Sequence, residues 1–347
     1  MKHFVLIVIL GGIFLCCSQT KGPSSISNRT VDPGITDKIN GLCLVSLKDT
    51  MNESNIDPMI SLGANWTAVI PFGFINSLDD PELKFNIDWQ WDGERLDGSE
   101  KNIKLLHSKG LNVMLKPQVW VGRGDFTGRI EMKSEKDWLT FESTYSDYII
   151  SFAKMAERNG VKMLCIGTEM SRFAKQRVPY WRSLIKELRE IYSGQLTYGE
   201  NWDSSFKIEF WNDLDFIGID AYFPICSQKQ PTLLELESGW NKLLPKLKTL
   251  SEKNNRKIVF AEYGYRSIVE CAKSPWDYGV ENEVSEEQQE LALKALYNTI
   301  WKQDYFAGGF IWKWYPDHKT AGGPEDKMFT VQNKRAEELV KSTYSSL

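Results

Sequence analysis

Short apolar runs alternate with segments of helical periodicity along most of the 347-residue chain. Eight of these runs are mostly apolar rather than alternating, which is typical of strands buried on both faces of a parallel sheet. They cover residues 41–46, 66–72, 112–119, 162–167, 196–199, 216–221, 257–261 and 308–312. This repeated pattern restricts the chain to an α/β architecture with a largely parallel sheet.

The segments between the runs carry apolar residues at every third or fourth position, the period of an amphipathic helix. Residues 138–155 and 181–191 have this spacing, and Ser285 followed by Gln288 indicates where a further helix begins. Eight strands alternating with helices predict an α/β fold, a single (β/α)8 TIM barrel. An open doubly wound sheet is the alternative, but no glycine-rich phosphate-binding turn follows the first run.

The first 17 residues (1–17) have the composition of an export signal rather than of a folded element. Lys2 and His3 precede an apolar stretch that is too short to span a bilayer, and Cys16 and Cys17 follow it. A cysteine at this place resembles a bacterial lipobox, so Cys17 is the predicted lipid anchor, with Cys16 as the alternative. A plain cleaved signal peptide is also open, and both interpretations export the protein.

Residues 18–36 are rich in Ser, Gly and Pro, which predicts a flexible tether. Because no second linker follows, residues 37–347 are predicted to form one domain; two abutting domains are the less supported alternative. We therefore expect a bacterial membrane-anchored lipoprotein, periplasmic or at the cell surface, that meets the membrane only through its N-terminal anchor.

Charge and histidine content argue against several classes of function. A formal net charge of −4 does not suit the basic surface that nucleic-acid binding requires. The chain has 3 histidines, too few and too scattered to indicate a metal cluster or a Ser-His-Asp system.

The cysteines beyond the signal have spacings that suit no zinc or redox motif. Cys43 and Cys165 lie in apolar runs and are predicted to be small core residues. Cys226 and Cys271 lie between runs, and export permits a disulfide between them, which we state as a hypothesis.

In a barrel of this kind, the active site lies at the carboxyl ends of the strands. The candidates are therefore the polar and aromatic residues that close the third to the eighth runs. They are Lys116, Gln118, Glu169, Glu200, Asn201, Asp220, Tyr222, Glu262, Trp312 and Trp314.

Glu169 and Glu262 are the strongest candidates because they end the fourth and seventh strands, which face each other across an eight-stranded barrel. A retaining glycosidase requires two carboxyl groups about 5–5.5 Å apart. Placement directly after a buried strand also desolvates a carboxyl group in part and raises its pKa for acid catalysis. Structural salt bridges at the rim are the alternative. Glu200 better suits a structural or substrate-binding role, and Asp220 hydrogen bonding at its strand end.

Four segments, CIGTEM, GIDAYFP, VFAEYGYRS and FIWKWY, together resemble glycoside hydrolase family 113, a family of (β/α)8 enzymes. The resemblance covers nearly all the chain from Ile39 onward, and its most specific parts are IGTE and EYGYRS. Members of the family are known chiefly as retaining endo-β-1,4-mannanases, some with transglycosylation activity. The resemblance implies Glu169 as the acid/base and Glu262 as the nucleophile.

The resemblance also implies how a sugar would be held. Tyr222 and Trp312 would lie near the sugar in the −1 subsite, next to the cleaved linkage. The implied cleft-lining residues are Lys116, Gln118 and Trp120. We also expect Trp314 to offer a stacking surface to sugar rings, as Trp120 and Trp312 do.

The predicted function is hydrolysis of β-1,4-mannosidic linkages in mannan-type polysaccharides or oligosaccharides by double displacement. We expect a monomer that uses no metal or organic cofactor. Thr168 stands where many related enzymes have asparagine, and no arginine ends the second strand, so the −1 sugar stays open. The alternatives are a retaining hydrolase or transglycosylase acting on another β-glycan, a non-catalytic glycan-binding lipoprotein, and a purely structural barrel.

Overall fold

Eight parallel strands close into a barrel in the computed structural model, which describes residues 37–345. In chain order the strands are β1 (Ile39–Leu44), β2 (Trp66–Val69), β3 (Asn112–Leu115), β4 (Met163–Thr168), β5 (Gln195–Asn201), β6 (Phe216–Asp220), β7 (Lys257–Tyr263) and β8 (Phe306–Trp314). Each strand pairs with the next, and β8 returns to β1, where Ile39 lies opposite Gly308. The predicted (β/α)8 barrel is therefore confirmed, and the open doubly wound sheet is wrong.

Helices connect the strands. They are α1 (Glu53–Ser61), α2 (Leu96–Ser108), α3 (Glu135–Arg158), α4 (Ser171–Gln176), α5 (Val178–Ile191), α6 (Leu233–Asn254), α7 (Glu286–Asn298) and α8 (Arg335–Ser345). After β5, the short 3-10 turns Ser205–Lys207 and Trp211–Asp213 take the place of a helix. The predicted start of α7 is confirmed, because the Ser285 hydroxyl accepts a hydrogen bond from the backbone N–H of Gln288 at 3.3 Å.

The strands are buried along most of their length, which explains why their sequences are apolar runs without alternation. Every residue of β1, β4 and β6 is buried. Close packing inside the barrel depends on small residues beside large ones. A Cβ atom on Gly41 would come within 2.3 Å of the Phe310 ring, so glycine at this position leaves the space that Phe310 fills.

The four cysteines of the described residues are all free thiols. Cys43 and Cys165 are fully buried within β1 and β4, as predicted. The hypothesis of a disulfide between Cys226 and Cys271 is wrong, because neither is bonded. The Cys271 thiol is instead buried and lies 3.5 Å from the carbonyl oxygen of Gln288.

A second, two-stranded parallel sheet stands beyond the carboxyl ends of β2 and β3. Its strands, Phe72–Ile75 and Gln118–Val121, pair in register, with Phe72 opposite Gln118. The apolar runs predicted at 66–72 and 112–119 therefore each join a barrel strand to the start of this sheet. Pro71 and Pro117 separate the two parts, because proline has no N–H to donate to a strand ladder.

Residues 1–36 and 346–347 lie outside the described residues. The predicted signal and lipobox at 1–17, with Cys16 and Cys17, and the predicted tether at 18–36 belong to that part of the chain. Among residues 37–345, no helix is long and apolar enough to cross a membrane.

Candidate active site

A cavity of about 650 Å³ opens at the carboxyl ends of the barrel strands. Seven residues predicted for the site line it. They are Gln118, Trp120, Glu169, Asn201, Tyr222, Glu262 and Trp312. The cavity therefore lies at the end of the barrel where the order of strands and closing residues predicts the active site.

Three donors surround the carboxylate of Glu262 at the end of β7. The Lys116 ammonium and the Gln118 side-chain amide donate to Oε1 at 2.5 and 3.1 Å, and the Tyr222 hydroxyl donates to Oε2 at 2.7 Å. Both oxygens are therefore held in fixed directions, one of them by a charge-assisted bond. The arrangement presents an oriented carboxylate to the cavity.

Lys116 lies beneath the cavity rather than in its wall. Its side chain is fully buried, and its ammonium also lies 3.3 Å from Asp220 Oδ1. Burial acts to lower the pKa of Lys116, but the charges of Asp220 and Glu262 outweigh it and raise that pKa well above its usual range. The prediction that Lys116 lines the cleft is wrong, because its chain runs inward to this ion pair.

Asp220 is the second partner of Lys116, and its expected role as a strand-end hydrogen-bonder is confirmed. Burial first, and the neighbouring Glu262 carboxylate second, raise the pKa of Asp220 to about 7, while Lys116 opposes the rise. Asp220 is fully buried and does not border the cavity.

Glu169 follows β4 in a left-handed backbone conformation, with φ of 51°. Such a conformation is costly for a residue with a Cβ atom, and strained residues of this kind cluster at functional sites. The Glu169 N–H donates to the Gly199 carbonyl on β5 at 2.7 Å, which holds this turn against the neighbouring strand. The side chain is thereby placed in the wall of the cavity.

The Glu169 carboxyl has an environment unlike that of Glu262. Within residues 37–345, no side chain or backbone group donates a hydrogen bond to it. Removal from water first, and the negative charges of Asp220 and Glu262 next, raise the pKa of Glu169 well above its usual range, while Lys116 opposes. The cavity thus contains one oriented carboxylate and one carboxyl group disposed to hold a proton.

Glu200 ends β5 but is turned away from the cavity. Its Oε1 accepts hydrogen bonds from the Ser171 hydroxyl at 2.6 Å and from the Asn201 N–H at 2.9 Å, and its side chain is fully buried. Burial raises the pKa of Glu200 to about 7. Of the two roles expected for Glu200, the geometry favours the structural one.

Trp314 does not reach the cavity, so its predicted stacking role is wrong. Leu42 on β1 lies opposite Ile311, whereas Leu44 lies opposite Trp314, so β8 has one extra residue between these pairs. This bulge breaks the two-residue alternation that would have placed Trp312 and Trp314 on one face. Trp314 is fully buried, while Trp312 borders the cavity.

Aromatic side chains from loops complete the wall, and these were not predicted from the sequence. They are Phe126, Trp202, Trp276, Tyr278 and Phe329. Trp202 and Trp276 pack together with ring centroids 5.0 Å apart, and the Trp312 Nε1–H donates to the Tyr278 hydroxyl at 3.0 Å. The aromatic cluster SPWDYG in an otherwise polar stretch was the one signal that could have indicated Trp276 and Tyr278.

Metal binding has no support in the described part of the chain. Between residues 37 and 345, no group of three or more His, Cys, Asp or Glu side chains is arranged to hold a metal ion. Besides Glu169 and Glu262, the carboxyl groups of Asp125 and Asp203 border the cavity.

Comparisons with known proteins agree with this geometry. The model of Glycoside Hydrolase Family 113 matches residues 46–334. A family 113 β-mannanase from Alicyclobacillus acidocaldarius, solved in complex with ManMIm, is similar with a TM-score of 0.77 and 25% identity over 89% of this chain and 97% of that one. A second family 113 β-1,4-mannanase complex has a TM-score of 0.78 and 22% identity over 90% of this chain and 100% of that one. No curated protein matches the chain by sequence.

Other solved structures resemble this chain more distantly, and they share its fold alone. A β-D-glucuronidase from Dictyoglomus thermophilum has a TM-score of 0.59 and 15% identity, covering 89% of this chain but 51% of that one. The barrel of the present chain therefore corresponds to part of that larger enzyme.

Proposed function

Because the chain belongs to glycoside hydrolase family 113 and is a glycoside hydrolase, we propose that it cleaves β-1,4-mannosidic linkages with retention of anomeric configuration. The substrate assignment is supported by the similar structures, which are β-mannanases and match this chain over almost their entire lengths. The aromatic lining of the cavity suits a glycan, because sugar rings pack on aromatic faces.

The observation that carries the mechanism is the unequal environment of the two carboxyl groups. Glu262, held by three donors, attacks the anomeric carbon and forms a covalent glycosyl-enzyme intermediate. Glu169, whose raised pKa keeps it protonated, donates its proton to the departing glycosidic oxygen. Glu169 then removes a proton from the incoming water, which displaces the sugar from Glu262.

The surrounding residues orient these groups and the sugar. Lys116, Gln118 and Tyr222 fix the direction of the attacking carboxylate, and Lys116 also balances its charge. Trp312 and the half-exposed Trp120 offer apolar ring faces at the cavity wall, where sugar rings can stack. The mechanism requires no metal or organic cofactor.

Product analysis on matched oligosaccharides of β-1,4-mannan, cellulose and xylan tests the substrate assignment. We expect turnover of the mannan series, with the β-anomer released first in a proton NMR time course. Turnover of only the glucan or xylan series would contradict the choice of sugar. Release of the α-anomer would contradict retention, and turnover of none of the three would favour a glycan-binding role.

We also propose export and membrane anchoring, with residues 37–347 as the catalytic domain. The proposal is supported by the apolar stretch and the cysteines at its end, and by the polar composition of 18–36. Metabolic labelling with a fatty acid should be lost in Cys17→Ser and kept in Cys16→Ser. Loss of labelling in Cys16→Ser alone would assign the lipid anchor to Cys16. If neither the wild-type protein nor a variant is labelled, a plain cleaved signal peptide is favoured.

A further inference from the structure

An aromatic surface continues beyond the cavity on the two-stranded sheet at the barrel mouth. Phe72 lies opposite Gln118, and Phe74 lies opposite Trp120. Residues paired directly in a sheet project to the same side, so these four side chains share one face. Gln118 is the residue that donates to Glu262, so this face starts beside the proposed nucleophile.

Trp89 extends this surface outward from the sheet. Its ring packs edge-on against Phe74 with centroids 4.6 Å apart, and Phe72 lies 6.4 Å from Phe74 and 6.5 Å from Trp120. Trp89 and Trp120 are 63% and 50% exposed. We call these four rings, Phe72, Phe74, Trp89 and Trp120, the aromatic face. Exposed apolar surface of this kind, continuous with a binding cavity, marks an extension of the binding site.

The loop that carries Trp89 is held by buried polar contacts. Gln90 is 6% exposed, its Nε2 donates to the Phe72 carbonyl at 2.9 Å, and its Oε1 accepts from the Ile87 N–H at 2.9 Å. Lys84 and Phe74 also form two backbone hydrogen bonds, at 2.8 and 2.9 Å. Trp89 is therefore fixed before any ligand binds, which lowers the entropy lost on binding.

We propose that the aromatic face binds distal sugar units of the same β-linked glycan whose scissile linkage lies between Glu169 and Glu262. This inference rests on the proposed function of the cavity. The face has the chemistry that sugar rings require, since their C–H faces are apolar and pack on uncharged aromatic rings. Phe74 lies beside Trp120 on the neighbouring strand and Trp89 packs on Phe74, so a glycan that continues past Trp120 meets these two rings next.

Two tryptophans in one loop provide a matched test. Trp91 is 47% exposed and lies two residues from Trp89, but among the described residues no aromatic ring packs against it. We compare Trp89→Ala, Trp89→Phe and Trp91→Ala by kcat/KM on di- to hexasaccharides of the β-1,4-mannan, glucan and xylan series. Trp89→Ala should lower kcat/KM for the longest substrates about tenfold, which corresponds to about 1.4 kcal/mol. The change should appear as a higher KM.

In the same experiment, Trp89→Ala should leave kcat/KM for the shortest cleaved substrate unchanged. Trp89→Phe should keep most of the wild-type preference for longer substrates. Trp91→Ala should have the same kcat/KM values as wild type. Identical length profiles for wild type and Trp89→Ala would overturn the extended site and leave the proposed function standing. A Trp89-dependent profile in the glucan or xylan series alone would support the extended site and contradict the mannan assignment.

If none of the three oligosaccharide series is cleaved, calorimetric measurement of hexasaccharide binding tests whether the aromatic face is a glycan site. Binding that weakens in Trp89→Ala but not in Trp91→Ala would support the aromatic face as a glycan site. Equal binding by both variants, or binding of no hexasaccharide to the wild-type protein, would overturn it.

Discussion

The carboxyl ends of β4 and β7 bring the same residue type into one cavity in two different environments. Glu262 receives hydrogen bonds from an ammonium, an amide and a phenol, whereas the Glu169 carboxyl receives none from any group in residues 37–345. The pKa of Glu169 is raised by desolvation and by neighbouring negative charge. The comparison teaches that the hydrogen bonds around a carboxyl group, and not its residue type, decide whether it suits attack on a sugar or release of a proton.

A third carboxyl group shows that a raised pKa is not sufficient. Burial raises the pKa of Glu200 as well, to about 7, but its oxygen is bound by Ser171 and Asn201 and it does not border the cavity. Of these three carboxyl groups, Glu169 is the one that combines a raised pKa with a place in the cavity wall. Glu200 is therefore a natural control for the comparison.

Removal of Glu262, the proposed nucleophile, should have the largest effect. Glu262→Ala should lower kcat on mannan oligosaccharides by a factor on the order of 10⁴ or more, because no covalent intermediate can form. The fold should survive, since the buried Lys116 keeps Asp220 as its ionic partner. Steady-state kinetics measure the loss, with the thermal unfolding midpoint as a check on folding. Activity near that of wild type would break the assignment of Glu262.

Removal of Glu169, the proposed acid, should have a smaller effect that depends on the leaving group. Glu169→Gln should lower kcat/KM on oligosaccharides by about 10²–10⁴-fold and much less on a glycoside whose activated leaving group departs without a proton. Glu169 loses its proton as the pH rises through its raised pKa, so kcat/KM of the wild-type enzyme should fall in that pH range. The variant has no carboxyl group at this position, so its kcat/KM should not show this fall. An equal loss on both substrates would contradict the role of Glu169.

Glu200→Gln should have the smallest effect on activity but a measurable effect on stability. The amide keeps the acceptor oxygen that Ser171 and Asn201 use. The folded protein holds the Glu200 proton more tightly than the unfolded chain, so its contribution to stability is lost as pH rises from 4.5 to about 7. Relative to wild type, the variant should gain up to about 3 kcal/mol of unfolding free energy across this range.

Denaturant unfolding at a series of pH values measures this difference. The titration of Asp220 cancels between the two proteins, apart from the part of its raised pKa that the Glu200 charge contributes. A constant difference from pH 4 to pH 8 would show that Glu200 does not titrate in this range. A loss of activity as large as that of Glu169→Gln would remove the distinction between the two residues.

The elements that the sequence predicts well are those with a local signal. Strand ends can be read from the close of an apolar run, and this placed Glu169, Glu262, Tyr222 and Trp312 at the cavity. Family resemblance assigned the separate roles, and the unequal hydrogen bonding of the two carboxyl groups is an independent reason for the same assignment.

The errors occurred where a side chain's direction depends on tertiary structure. Trp314 was assigned to the cavity because a regular strand places alternate residues on one face, and an apolar run carries no sign of the bulge in β8. Lys116 was predicted in the wall because it closes β3, but its direction is set by the ion pairs with Asp220 and Glu262. Trp276 and Tyr278 lie in a long loop, where no periodicity indicates which surface they face.

The central claim is that Glu262 is the nucleophile and Glu169 the acid, and trapping of the covalent intermediate tests it most directly. A 2-deoxy-2-fluoro glycosyl donor with a good leaving group, in the sugar series that the protein turns over, should slow the second step enough for the intermediate to accumulate. Peptide mass spectrometry should then find one fluorosugar on the peptide that contains Glu262, and none in Glu262→Ala. Labelling of the peptide that contains Glu169 would contradict the account.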